Sequence, residues 1–419
     1  MRLLTALLLL AGTAGPGLRQ AQAQAPPAAD ERIPADSLDD ELIERLRNLP
    51  NIEIGRGITF QSRNRRFKTT LRFRMQNVVG LDFDRDFSLT RTEARVKRLR
   101  LRLDGYVHSP KLVYSIQLGF SSSDSRHLPD GSTNIIQDAA VYYVHNARWN
   151  IGLGQTKIKA NRAQTNSSGA LQFVDRSIVN GEFNLGRDFG LFGEFNLNRS
   201  AGFDLAAKGS VTLGEGRNWN HTKNGNLAYT ARLELFPTGR FSAKGEVTEG
   251  DYAHEAQAKI LLAAAYCFNH RATRLKGQHG AEMPEGEHRD LNSYFVDFIL
   301  KYRGFAFCAD FMGRACGRPL FAGDESAFVY TGCGLNVQTS YLIRRRWEIA
   351  LRNSTLFPER RIRHAAGYAR RNRTTLGLTR YIIGHSLKVQ TDISYEFRTW
   401  AASPDYDRWQ IGFQLELGI

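Results

Sequence analysis

Trp409-Gln-Ile-Gly-Phe-Gln-Leu-Glu-Leu-Gly-Ile419 alternates large apolar side chains with small or polar ones along its whole length. Trp409, Ile411, Phe413, Leu415, Leu417 and Ile419 fall on one face of an extended chain, and Gln410, Gly412, Gln414, Glu416 and Gly418 on the other. A period of two is a strand with one oily and one wet face. Roughly 9–11 tilted residues cross a bilayer as a β-strand, about twice the length of a soluble one. The pattern recurs along the chain. It predicts an all-β fold, a transmembrane, antiparallel, up-and-down β-barrel.

The N-terminus is read as an address. Arg2 precedes the apolar run Leu3–Ala11, and Ala21-Gln-Ala23 is a small-x-small cleavage site, so residues 1–23 read as a secretory signal peptide. The expected location is the outer membrane of a Gram-negative cell. Elsewhere no run approaches the ~18 apolar residues of a helical span. Charged residues make up 24% of the chain, which in a barrel is accommodated by the water-facing half of each strand. The formal charge of +15 falls to +13 once Arg2 and Arg19 leave with the signal. In an exported protein this points to small anions or anionic outer-membrane lipid as partners, not to nucleic acid. Four cysteines (Cys267, Cys308, Cys316, Cys333) permit a disulfide in an oxidising compartment, with three possible connectivities. Their spacing suggests no metal site, and no cofactor is expected.

Residues 24–55 read as a leader. A Gln/Ala/Pro-rich stretch (24–35) precedes a short periplasmic helix from Ser37 to Arg47, capped by Ser37 and striped by Leu38, Leu42 and Leu46. The barrel is expected over 56–419. Strands are predicted near 67–79, 93–107, 111–121, 137–145, 148–156, 187–197, 202–213, 226–236 and 240–249. Others follow near 257–268, 291–303, 305–314, 328–342, 345–357, 370–382, 385–399 and 406–419. An even number is required, and an eighteenth strand near 272–280 would restore the alternation of short and long connections. The expected count is 16–18. A plugged transporter would need about 22 strands and an N-terminal globular segment, and the chain is too short for one.

Arg98-Leu-Arg-Leu-Arg-Leu103 puts Arg98, Arg100 and Arg102 on one face and three leucines on the other. At mid-membrane each arginine facing lipid would cost roughly 2–4 kcal/mol, so all three are assigned to the lumen. Leu71-Arg-Phe-Arg-Met75 places Arg72 and Arg74 in the same wall, and Lys388, Gln390, Asp392, Ser394, Glu396 and Arg398 face inward from a late strand. The plainer alternative is a static wall in which these arginines pair with carboxylates. Against it, basic residues outnumber acidic ones by 57 to 42, with eleven arginines in 344–380. Of these, Arg344–Arg346 and Arg360–Arg363 read as turn or loop residues.

The longest connection not dominated by charge runs from Lys157 through Asn184. Leu171, Phe173, Val174 and Ile178 could anchor it against the wall, folding it inward, with Ser167, Ser168 and Arg176 as oxyanion donors. Here the chain resembles a known family. Gly152-Leu-Gly-Gln155 leads into Asn166-Ser-Ser168, Phe173-Val-Asp-Arg176 and Gly186-Arg-Asp-Phe-Gly190, with Val96-Lys-Arg98 and Leu103-Asp-Gly105 upstream. These stretches resemble the phosphate-selective porin O and P family as found among Bacteroidetes, from about Gly55 onward and most strongly over 67–200. The resemblance implies a homotrimer of 16-stranded barrels, each with a third loop folded into an anion-conducting pore. By position, Lys97 and Arg98 resemble the family's paired basic residues, and Ser167, Ser168 and Arg176 its central site. Gly169 stands where the family has a lysine, and Ile419 where barrels commonly end in an aromatic. The first departure separates general anion preference from strict phosphate selectivity.

The expected function is passive diffusion of small anions through an arginine-lined pore, without catalysis. A general non-selective porin, an adhesin and a barrel hydrolase are the alternatives. A hydrolase would need a Ser–His pair on the barrel wall. His108, His145, His254 and His385 lie near strand ends or loops, in no such arrangement.

Overall fold

The computed structural model describes residues 51–53, 57–127, 133–197, 202–218, 222, 225–322, 324–399 and 407–419. The expected signal peptide, the Gln/Ala/Pro-rich leader and the helix at Ser37 lie outside them. Residues from Pro50 onward form one compact unit.

Sixteen antiparallel strands build the barrel. The first eight are β1 (Phe67–Phe83), β2 (Leu89–Val107), β3 (Leu112–Gly119), β4 (Ile136–Val144), β5 (Trp149–Lys157), β6 (Arg187–Asn196), β7 (Asp204–Thr212) and β8 (Ala228–Phe236). The rest are β9 (Lys259–Ala272), β10 (Arg289–Tyr302), β11 (Phe305–Cys316), β12 (Gly332–Ile343), β13 (Trp347–Pro358), β14 (Arg370–Ile383), β15 (Leu387–Thr399) and β16 (Arg408–Gly418). Each pairs with its sequence neighbour, and β16 closes on β1 from Trp409↔Phe83 to Gly418↔Arg74. Closure leaves no free sheet edge. Two short strands, Asn51–Glu53 and Gly57–Gln61, pair with each other, and the second continues along the β1 edge. No described helix is long and apolar enough to cross a membrane.

Alternation sets the orientation of every strand. Ile151, Leu153, Leu191, Leu233, Leu351 and Leu376 lie exposed on the outer face. So large an apolar surface is a lipid-facing belt. Aromatic pairs mark its rims, with Trp149 packed at a tilt against Phe195 at the end of short turns and Trp409 against Tyr395 at the end of long loops.

Two strand assignments are corrected. Residues 240–249 are not a strand: Ala243 and Lys244 take positive φ (50° and 58°), which breaks extension, and the segment turns inside the barrel. Residues 272–280 are not a strand either, because β9 ends at a bulge before Ala272 and a loop bridged at Arg274↔Glu282 follows. The broken alternation of connection lengths has another cause, a long connection (237–258) at the turn end.

The core is the lumen itself. An inner loop, residues 158–186, folds into it and carries α1 (Ile178–Phe183), capped by Ser177 Oγ accepting from Asn180 N at 3.1 Å. Val179 and Phe183 pack with Phe295, Met312 and Leu356 from the far wall. As expected, Leu171, Phe173 and Val174 are buried, and Ile178 partly so. The late-strand polar face anchors this loop and is not open pore surface. Lys388 Nζ and Gln390 Nε2 donate to Leu171 O at 2.8 and 2.9 Å, and Asp392 Oδ2 accepts from Val174 N at 2.9 Å. All four thiols are unpaired.

Candidate functional site

Strict alternation would turn Lys97 to lipid, since Arg98 faces in. A bulge avoids this: β1 pairs Gln76 with Arg98 but Asn77 with Val96, so Lys97 is the extra residue. Both cations therefore enter the lumen. Lys97 Nζ donates to Val174 O (3.0 Å) and pairs with Asp175 Oδ1 (2.5 Å), both on the inner loop. Arg98 Nη1 donates to the uncharged Gln76 Oε1 at 2.7 Å. Arg100 grips Asp124 with two nitrogens (2.7 and 2.5 Å) and reaches Ser168 Oγ at 3.1 Å.

Lower on the wall, Arg72 and Arg102 share Asp104 at 2.6 and 2.8 Å, which is the paired wall of the plainer reading. Arg74 donates to Ser167 Oγ (2.7 Å) and pairs with the buried Glu416 (3.3 Å). Ser167 also caps a short turn by accepting from Gly169 N, and Ser168 is buried beside Gln76. The serines thus sit between Arg74 and Arg100 at the tip of the inner loop.

Above that tip lies a cavity of about 580 Å³. Arg95, Lys97, Arg98, Arg100, Lys157, Arg176, Arg187, Arg217 and Arg274 line it, against the carboxylates Asp124 and Asp175. Several are neutralised: Arg95 by Glu93, Arg187 by Asp138 and Arg274 by Glu282. Three are held by uncharged groups. Besides Arg98, Lys157 Nζ donates to the carbonyls of Gln164, Thr165 and Asn166 (2.9–3.4 Å). Arg176 donates to the carbonyls of Ala163 and Asn166 at 2.8 and 2.9 Å. Burial, and after it repulsion from Arg98, lowers the Arg176 guanidinium below its ordinary range. It remains charged at neutral pH. An arriving oxyanion would relieve that repulsion.

Lys97, Arg98, Arg100 and Arg176 therefore share one cavity, whereas Arg72, Arg74, Arg102, Ser167 and Ser168 do not line it. Sequence reasoning missed Lys157 and Arg187 at the two hinges of the inner loop. Basic residues at the ends of a long inward loop were the available signal. Arg217 and Arg274 come from other loops and carry none.

Residues 67–234 match the family model of the phosphate-selective porin O and P. No curated protein matches the sequence. Among solved structures, in-vitro folded OmpT, an outer membrane protein of Vibrio cholerae in trimer form, aligns with a TM-score of 0.51 at 10% identity over 83% of this chain and 99% of that one. OprB of Pseudomonas putida gives 0.52 at 9% identity, covering 84% and 94%. The outer membrane channel DcaP of Acinetobacter baumannii gives 0.50 at 12%, covering 86% and 99%. At these identities the likeness is one of fold. The closed barrel and the matched segment together make the chain similar to outer-membrane β-barrels of the porin type. Within that type, the resemblance to the phosphate-selective porin O and P family holds over residues 67–234.

Proposed function

We propose that the protein is an outer-membrane porin for small anions, with phosphate-like oxyanions preferred and no catalytic step. One observation carries this reading: Arg98, Lys157 and Arg176 face a common cavity, and the hydrogen bonds that hold them go to uncharged groups, with no carboxylate among the described residues in direct contact. An excess of cations over carboxylates in a confined, low-dielectric passage raises the local concentration of anions. Lys97 and Arg100 orient the inner loop and the wall around it, and the serines at 167 and 168 add donors at its tip. Export by a cleaved signal (residues 1–23), an outer-membrane lipid environment and a homotrimeric state belong to the same proposal. The trimer form of OmpT supports the last of these.

The test is the zero-current potential of purified protein in planar bilayers under a salt gradient. Arg98→Ala and Arg176→Ala should each move it toward cation permeability. Arg361→Ala should barely change it, because that guanidinium is tied to Glu359 in an exposed loop. The shifts should shrink at high salt, as the Debye length falls from roughly 10 Å at 0.1 M to 3 Å at 1 M. Unchanged potentials in both cavity variants would leave a general porin, and a protein that never conducts would leave an adhesin or a hydrolase.

A further inference from the structure

Connections at the turn end are short except for residues 237–258, which enter the lumen from below and meet the inner loop. We propose that this segment is a strut that sets the height of the inner-loop tip, with Glu249 as its positioning residue. The proposal rests on the porin reading above and takes the inner loop, which fills part of the lumen, to narrow the passage at its tip.

Glu249 clasps the inner loop through main-chain groups on both sides of Leu171. Its Oε2 accepts from Gln172 N at 2.9 Å, and its own N donates to Ala170 O at 3.4 Å. Ser167 and Ser168 lie immediately before this clasp, so its position fixes theirs.

The strut is in turn fixed to the barrel. Lys301 Nζ, fully buried on β10, donates to Gly245 O and Gly250 O (both 2.7 Å), Thr248 Oγ1 (2.9 Å) and Thr248 O (3.1 Å). These acceptors saturate the three N–H groups of the ammonium. Asp251 Oδ2 accepts from Gly304 N in the β10–β11 turn at 2.7 Å. At Gly250 the backbone passes so close to Glu348 that a Cβ would lie 2.2 Å from its Oε1. Glu348 Oε1 also accepts from Gln172 Nε2 at 2.7 Å, so strut, wall and inner loop meet at one carboxylate. Tyr252 packs against Tyr381 and His385 with ring centroids 5.2 and 5.3 Å away.

The hydrogen bonds made by Glu249, Lys301 and Asp251 fix the strut at several backbone points, and a strut held in this way can restrain a loop that would otherwise fluctuate. Filling the lumen under the late strands would need apolar side chains alone. A carboxylate aimed at one backbone N–H of the opposing loop specifies a position.

The experiment compares wild type, Glu249→Ala and Glu249→Gln in two readouts. In planar bilayers at 1 M KCl, Glu249→Ala should raise single-channel conductance by roughly 1.5-fold or more, with added open-channel noise, as a tip released from below leaves a wider, fluctuating constriction. Glu249→Gln keeps an oxygen for Gln172 N and should restore wild-type behaviour. Hydrogen–deuterium exchange of the folded detergent complex should accelerate at residues 168–174 in Glu249→Ala only, with the barrel strands unchanged. If Glu249→Ala fails to assemble, Glu249→Asp, shorter by one methylene, takes its place with the same expected result. Exchange and conductance equal to wild type in the shortened variants would overturn the strut. A wild type that never conducts would overturn the porin reading, while the exchange measurement would still decide the strut.

Discussion

Gly169 and Arg74 share one small volume. A Cβ on Gly169 would lie 2.2 Å from Arg74 Cζ and 2.5 Å from Glu416 Oε1, so no side chain fits there while Arg74 holds its place. Placing the family's lysine at this position, Gly169→Lys, is therefore not expected to strengthen block of the pore by phosphate. The lysine that the resemblance implies has no room, and a guanidinium from β1 already sits beside Ser167. Gly169→Lys alone should disrupt the inner-loop tip and lower the yield of folded, heat-modifiable barrel. Adding Arg74→Ala vacates the volume and leaves buried Glu416 accessible to the new ammonium, with Lys388 3.6 Å away as a second partner. The double variant should recover folding that neither change predicts alone, a coupling of about 0.5–3 kcal/mol for groups in direct contact. Additive losses in a double-mutant cycle would show that the two positions do not share the site.

At the scale of the element, the bulge in β2 decides which cations reach the pore. Val96 faces lipid opposite Asn77, Lys97 is the unpaired insertion, and Arg98 resumes the lumenal face opposite Gln76. Deleting Lys97 removes the insertion and leaves Val96, Ala94 and every other β2 side chain on its present face. Deleting Val96 instead makes the ladder regular by turning Lys97 outward. At the bilayer midplane that costs roughly 2–4 kcal/mol. The Lys97 deletion should fold, with a zero-current potential moved toward cations and a less restrained Asp175. The Val96 deletion should fold poorly. Comparable yields from the two deletions, read by the electrophoretic mobility of unheated samples, would contradict this account of the register.

For the whole molecule, strand alternation is a local signal, and it made the barrel legible. All sixteen strands were foreseen, because a lipid-facing residue is specified by its own neighbours two positions away. Arg98 and Arg100 were legible for the same reason. Lys97 was not: alternation alone assigns it to lipid, and only the family resemblance brought it inward. The segment 240–249 mimicked a strand with a few alternating residues, yet its conformation is set by Lys301 and Glu348, which are distant in sequence. Arg217 and Arg274 reach the cavity from irregular loops, whose inward course depends on partners that no periodicity reveals. The membrane reading makes one further demand, testable on a single strand. Leu153 sits at the middle of β5 and is exposed on the outer face, whereas Asn150 of the same strand turns inward, where its Nδ2 donates to Glu194 at 3.4 Å. Leu153→Arg should destabilise the barrel in bilayers by roughly 2–4 kcal/mol, because a guanidinium at mid-membrane has no water within easy reach. Asn150→Arg faces a carboxylate and lumenal water, and should stay within about 0.5 kcal/mol of wild type. Urea unfolding in phosphatidylcholine vesicles measures both. Equal tolerance of the two substitutions would mean that the apolar belt of this barrel is not buried in lipid.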